Sequence, residues 1–212
     1  MRKTLYYIYD PLCGWCYGAG GAVQALADST DIALQMLPSG LFSGEGARPM
    51  SEDFAAYAWS NDQRIEQLTG QRFTERYRHE VLTDNQQMFD SAPATLALTA
   101  VALTARSREG HALKAIQQAR YVDGLDITQP GTLASLLHAL GLEDAAKLLA
   151  QPDASLIAAN SARIAQAQAL LAQFGARGVP AFIVEMNGHR QLMSSNAALS
   201  NPQTFVDQLA AA

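Results

Sequence analysis

A chain of 212 residues, 49% of them hydrophobic and 17% charged, is long enough to bury one sizeable core, as a single domain or as a domain carrying an insertion. The formal net charge of −5 and pI near 5.3 leave no basic stripe to neutralise phosphates, which argues against nucleic acid as a partner. After Arg2 and Lys3 the apolar run from Leu5 to Tyr9 stops at Asp10-Pro11, too short for a signal-peptide core or a membrane span, so a soluble cytoplasmic protein with no membrane partner is expected.

Thr4 to Tyr9 is aromatic and β-branched without clean alternation, as suits a strand buried on both faces of a mixed sheet. From Cys16 to about Asp28, Tyr17, Ala19, Val23, Leu26 and Ala27 recur at helical spacing, and Gly18, Gly20 and Gly21 permit close approach of that helix to a sheet. Ile32, Leu34 and Met36 alternate before Pro38 and predict a second strand, which completes a right-handed βαβ unit. Leu41, Phe42 and Met50 lie in the Gly-rich passage that follows, either exposed near a site or buried in a junction.

Residues 45–175 are rich in Ala, Leu, Gln and Arg with repeated glycine stops, and read as an all-helical insertion between the two parts of a sheet domain, 1–44 and 176–212. One helix runs from Ser51 to Thr69 and stops at Gly70. Another is capped by Ser91, carries Pro93 in its first turn and runs to Glu109, and a third ends before Gly124. Others run from about Pro130 to Leu140 and from Asp153 to Phe174. Val179 to Met186 then reads as a strand, Asn187-Gly188 as a type I′ turn, and His189 to Met193 as its hairpin partner, with Pro180 tolerated at the strand start. Asn201-Pro202 opens a terminal helix carrying Phe205, Val206 and Leu209.

Both cysteines of the chain fall in Cys13-Gly-Trp-Cys16, between the first strand and the first helix. Two residues apart, they can lie one helical turn apart and close a small disulfide without moving the fold. A loop this short would contribute less than the roughly 3 kcal/mol of a fifteen-residue loop, so a structural brace is a poor explanation. In a reducing compartment a lone pair is catalytic or metal-binding. A zinc site would need about two more ligands, and His79, His111, His138 and His189 are scattered, so no metal is expected. His138 and His189 read as structural or solvated, and Glu52, Asp53, Glu143 and Asp144 as helix-start acids that suit the dipole.

Cys13-Gly-Trp-Cys16 after a first strand, with Gly178-Val-Pro-Ala-Phe182 opening a late one, resembles the thioredoxin superfamily. The helical insertion and Asp10, three positions before the first cysteine, are similar to the DsbA-like branch that includes FrnE-type proteins and 2-hydroxychromene-2-carboxylate isomerases. The resemblance implies an α/β thioredoxin-like fold, βαβ then ββα, interrupted by the helical insertion. It implies a thiol:disulfide oxidoreductase of the protein-disulfide isomerase or reductase type with a redox-active Cys13–Cys16 disulfide and no bound cofactor. Cys13, where the helix begins, would be nucleophile and attacked sulfur, favoured as thiolate by the unpaired N–H groups and the dipole; Cys16 would be the resolving thiol.

By the same resemblance Val179-Pro180 is a cis bond set against the disulfide, and the Val179 backbone pairs with the substrate chain like an added strand; a trans proline at an edge strand is the alternative. Trp15 would shield the sulfurs and face substrates, or merely pack on the sheet, and Trp59 is expected in the core. Asp10 either relays protons to Cys16 or caps the turn. The chain departs from thioredoxin and DsbA in one respect: six residues before the first cysteine, where they carry a buried acid, stands Tyr7. Partners would be a protein or small thiol or disulfide, with glutathione as co-substrate, acting on a monomer or homodimer. The alternative is a glutathione-dependent isomerase or kappa-type glutathione transferase, although those relatives generally carry serine at the position of Cys13.

Overall fold

The computed structural model describes residues 3–27 and 32–211. Strand β1 (Lys3–Tyr9) pairs in parallel with β2 (Ile32–Pro38) and antiparallel with β5 (Ala181–Met186), whose other edge takes β6 (His189–Met193), giving the order β2-β1-β5-β6. Leu5, Tyr7 and Tyr9 point into the main core with Leu26, Phe182 and Phe205, whereas Tyr6 and Ile8 point into a second core with Leu37, Ala181 and Ile183. Neither face of β1 meets water, which is why its sequence lacks an apolar-polar alternation.

The first helix is two helices. α1 (Gly14–Gly18) starts two residues earlier than expected, immediately after Cys13; Ala19 (φ −75°, ψ −1°) breaks the run, and α2 (Gly20–Ala27) follows, while the expected end at Asp28 lies outside the described residues. The glycines here serve helix-to-helix contact, not the helix-to-sheet approach that was expected. A Cβ on Gly18 would stand 2.7 Å from Ile65 Cγ2 of α3 (Glu52–Thr69), and one on Gly21 would stand 3.2 Å from Pro202.

The helical region follows its capping chemistry in places. In α3 the Ser51 hydroxyl accepts from Phe54 N at 3.2 Å and Gly70 ends the helix at φ 73°. The expected helix to Glu109 is instead α5 (Ala92–Thr104), a 3-10 turn at Arg106–Arg108, and α6 (Glu109–Tyr121), which begins where the end was expected. Gly110 sits inside α6 because Glu109 is drawn into the interior, where it accepts from Tyr9 Oη at 3.2 Å and pairs with Arg163. Short elements without a strong periodic signal also appear: α4 (Glu75–Tyr77) with a π turn at Arg78–Leu82, the pair β3 (Arg48–Pro49) and β4 (Met88–Phe89), and α10 (Ser195–Ser200), whereas α8 (Glu143–Ala150) begins at the acids expected at a helix start.

α7 (Pro130–Ala139) and α8 pack against each other and against α5. α9 (Ala154–Gln173), although within residues 45–175, lays Ala167 and Leu170 on the second core and so covers one face of the sheet. Its Arg163 donates to the Thr99 hydroxyl at 2.8 Å and the Met36 carbonyl at 2.9 Å, and pairs with Glu109. The other face takes α2 and α11 (Pro202–Ala211), whose Phe205 meets Phe182 edge-on at 4.8 Å. Asn187 and Gly188, both at positive φ, form the hairpin turn.

Candidate active site

At the carboxyl end of β1 the chain turns through Asp10, whose carboxylate is wholly buried. Oδ1 accepts from Leu12 N at 2.9 Å; Oδ2 accepts from Phe42 N at 3.2 Å and from the Ser91 hydroxyl at 2.8 Å. Ser91, expected as a helix cap, spends its hydroxyl here instead. Burial pushes the Asp10 carboxyl up to about 6, and the Leu12, Ser91 and Phe42 donors pull against that rise. One carboxylate thereby ties the β1–α1 turn to the exit of β2 and the start of α5.

Cys13 occupies the N-cap of α1 in extended conformation (φ −83°, ψ 115°), with its N–H bonded to the Asp10 carbonyl at 3.1 Å and its thiol donating to the Val179 carbonyl at 3.6 Å. The Val179–Pro180 peptide is cis. Cys16 lies one turn further in, 3.4 Å from Cys13 and unbonded to it. Cys13 is 7% exposed and Cys16 0%, so only the first sulfur can be approached from outside. Burial, and then the neighbouring Cys13 sulfur, raise the Cys16 thiol well above its usual value.

Tyr7 stacks between Tyr9 and Phe182, at 5.3 and 5.0 Å, and donates its hydroxyl to the Cys16 carbonyl at 3.2 Å. Burial holds it neutral, so the residue beneath the pair orients backbone and carries no charge. Trp15 is half-buried against the main core and lines a recess of about 280 Å³ together with Cys13, Phe42, Phe54 and Phe89. Met50 is buried, whereas Leu41 is 45% exposed and lines a depression together with Val179. Trp59, expected in the core, is only half-buried at its margin, where Arg78 lies 5.2 Å over its ring.

Several residues of the site carried no legible signal. Asp62 of α3 is 5% exposed and lines the recess beside Cys13. A Cβ on Gly14 would stand 2.5 Å from its Oδ1, while Oδ2 accepts from Tyr77 Oη at 3.0 Å. Burial pushes this carboxyl up to about 7, against the Tyr77 hydrogen bond and the attraction of Arg120. Tyr121 of α6 donates to the Leu12 carbonyl at 2.8 Å and stacks on Tyr17 at 4.8 Å. The one available clue to Asp62 is its spacing: it interrupts the inward stripe of Ala55, Ala58, Trp59 and Ile65 on α3. Among the described residues no three His, Cys, Asp or Glu side chains converge on a possible metal position, and no helix is long and apolar enough to cross a membrane.

A buried thiol pair at a helix start, opposite a Val–Pro segment on a four-stranded mixed sheet, agrees with comparison across known families: residues 4–210 match the model of the DSBA-like thioredoxin domain. The chain belongs to that family. The cytosolic disulfide reductase DsbM from Pseudomonas aeruginosa is 34% identical over 99% of this chain and 100% of that one, with a TM-score of 0.88. A structure of DsbM with GSH gives 31% identity, coverage of 99% and 100%, and a TM-score of 0.86. A Nitrosomonas europaea protein provisionally assigned as a protein disulfide isomerase is 25% identical over 98% of this chain and 99% of that one, with a TM-score of 0.77. A comparison with the curated proteins gives no match.

Proposed function

We propose that this DSBA-like protein is a cytoplasmic thiol:disulfide oxidoreductase that reduces or isomerises disulfides through Cys13 and Cys16. The observation that carries the reading is the asymmetry of the pair: two free sulfurs 3.4 Å apart, one reachable at a helix start and one sealed beneath it. The Cys13 thiolate attacks a substrate disulfide R–S–S–R, forming Cys13–S–S–R and expelling R–S⁻, which takes up a proton. The Cys16 thiol then displaces the second thiol, its proton leaving with that group, and Cys13–Cys16 is left oxidised. Two thiols, such as two glutathiones, restore the dithiol and leave as a disulfide. DsbM has been solved with GSH, which supports glutathione as co-substrate here.

In this scheme Val179-Pro180 receives the substrate chain, the Val179 carbonyl beside the Cys13 thiol marking where an added strand would pair. Trp15 presents the apolar wall, and Asp10 anchors the turn. The parts 1–44 and 176–212 supply the sulfurs, and the helical region 45–175 roofs the recess over them. A glutathione redox titration, followed by thiol alkylation and Trp15 fluorescence with Cys13→Ser as control, tests the reading. A reversible two-electron transition absent from Cys13→Ser is the expected result, and no bond at any poise refutes it. A glutathione-dependent conversion that survives Cys13→Ser would instead favour the isomerase or transferase alternative.

A further inference from the structure

The proposed reaction leaves one proton unassigned, the one that neutralises the first thiolate expelled by Cys13. That thiolate departs into a recess lined by Leu12, Phe42, Phe54 and Phe89 on its apolar side and by Arg48, Asn61 and Asp62 among its polar groups. An alkyl thiolate, whose conjugate acid is weak, leaves more slowly than an aromatic one, and a proton delivered as the S–S bond breaks speeds its departure. The position where thioredoxin-like relatives keep an acid is occupied by Tyr7, which faces the Cys16 carbonyl and not the recess.

Resting on the oxidoreductase reading, we propose that Asp62 is the proton donor to the leaving thiolate, delivered to the site by the helical region. Its Oδ2 is engaged by the Tyr77 hydroxyl, and its Oδ1 lies against Gly14, the residue bonded to Cys13. Both Asp62 and Cys13 line the same recess. The charged and titratable groups around this carboxyl are Tyr77 from the α4 turn and Arg120 and Tyr121 from α6, with Cys13 from the N-cap of α1 and Arg48 from β3 lining the same recess. Arg120 is itself 2% exposed, packed 5.4 Å from the Tyr77 ring, and it partly offsets the burial that favours the protonated acid. The acid therefore holds its proton near neutrality and can give it up there. The step balances: Cys13–S⁻ plus R–S–S–R gives Cys13–S–S–R and R–S⁻; R–S⁻ plus the Asp62 carboxyl gives R–SH and the carboxylate, which is reprotonated from solvent.

The experiment compares wild type, Asp62→Asn and Cys13→Ser, all pre-reduced, in single turnover with two symmetrical disulfides: bis(2-hydroxyethyl) disulfide, whose alkyl thiolate needs a proton, and dithiobis(nitrobenzoate), whose aromatic thiolate leaves without one. Asp62→Asn keeps the shape and the acceptor for Tyr77. The expected result is a loss of about 10- to 100-fold on the alkyl substrate and less than about 2-fold on the aromatic one. Equal losses on both mean a merely structural role and overturn the proposal, as does no loss on either. If wild type turns over neither substrate faster than Cys13→Ser, the oxidoreductase reading itself has failed. Tyr77→Phe supplies a second arm should Asp62→Asn not fold. It removes the hydrogen bond that holds the carboxyl down, so the alkaline limb of the alkyl-substrate profile moves to higher pH; an unmoved limb overturns the proposal.

Discussion

Gly18→Ala sets two physical effects against each other. On helix propensity alone the alanine is better by about 1 kcal/mol. The tertiary setting opposes this: the new Cβ would stand 2.7 Å from Ile65 Cγ2, 3.2 Å from Thr69 Cγ2 and 3.4 Å from Leu199 Cδ2. Comfortable carbon contacts lie near 3.5–4.0 Å, so Ile65 must retreat by roughly 1 Å. It has nowhere to go, being fully buried and β-branched on a helix, where one rotamer dominates. Overpacking of this kind costs about 1–3 kcal/mol against the propensity gain, so a net loss of up to about 2 kcal/mol is expected. Urea denaturation at constant slope measures it. The decisive control is the double-mutant cycle with Ile65→Ala, in which the methyl is gone and Gly18→Ala becomes neutral or mildly stabilising, a coupling of about 2 kcal/mol. If Gly18→Ala stabilises the otherwise unchanged protein, the close approach of α1 to α3 is not what requires glycine, and the argument fails.

Two further perturbations probe the buried charges. Because burial raises Asp62 to about 7 and Asp10 to about 6, the folded chain holds these protons more tightly than the unfolded chain, so their contribution to stability is complete below about pH 4 and fades as pH rises through those values. Asp62→Asn should flatten the part of that decline due to Asp62, on the order of 4 kcal/mol between pH 4 and 8, in chemical denaturation across the range; an unchanged slope would show the carboxyl is not buried as described. Glu109→Gln leaves the Arg163 guanidinium, buried against α5 and β2, without its counter-charge. It should cost about 3–5 kcal/mol, with Glu109→Gln/Arg163→Met recovering part of the loss, and a cost below about 1 kcal/mol would contradict the burial of that pair.

The elements legible in the sequence are those in which one local cause dominates. β1 is visible because both its faces are buried, α3 because Ser51 and Gly70 mark its ends, and the terminal helix because Asn201 Oδ1 takes the N–H of Thr204 ahead of it. The thiol pair and the Val-Pro segment were recognisable by their placement between elements. The boundary at Glu109 was not, since a glycine one residue later is a stronger local stop than a buried ion pair to a helix 54 residues away. Asp62 and Tyr121 escaped for the same reason: a helical aspartate and a helical tyrosine declare nothing until α3 and α6 are folded over α1. For Ser91 the sequence shows only the commonest role of a serine before a helix, and the buried Asp10 carboxylate is what turns its hydroxyl away.

The contact between Gly14 and Asp62 bears on anyone who would retune this protein. The dipeptide between two such cysteines looks like an isolated dial, open to substitution without regard to the rest of the chain. Here one of its two settings is locked from another part of the molecule: any side chain at position 14 must displace a carboxylate that is itself held by Tyr77. A library that varies only positions 14 and 15 would therefore disturb Asp62 with every side chain placed at 14, whereas one that varies 14 and 62 together lets the two adjust to each other.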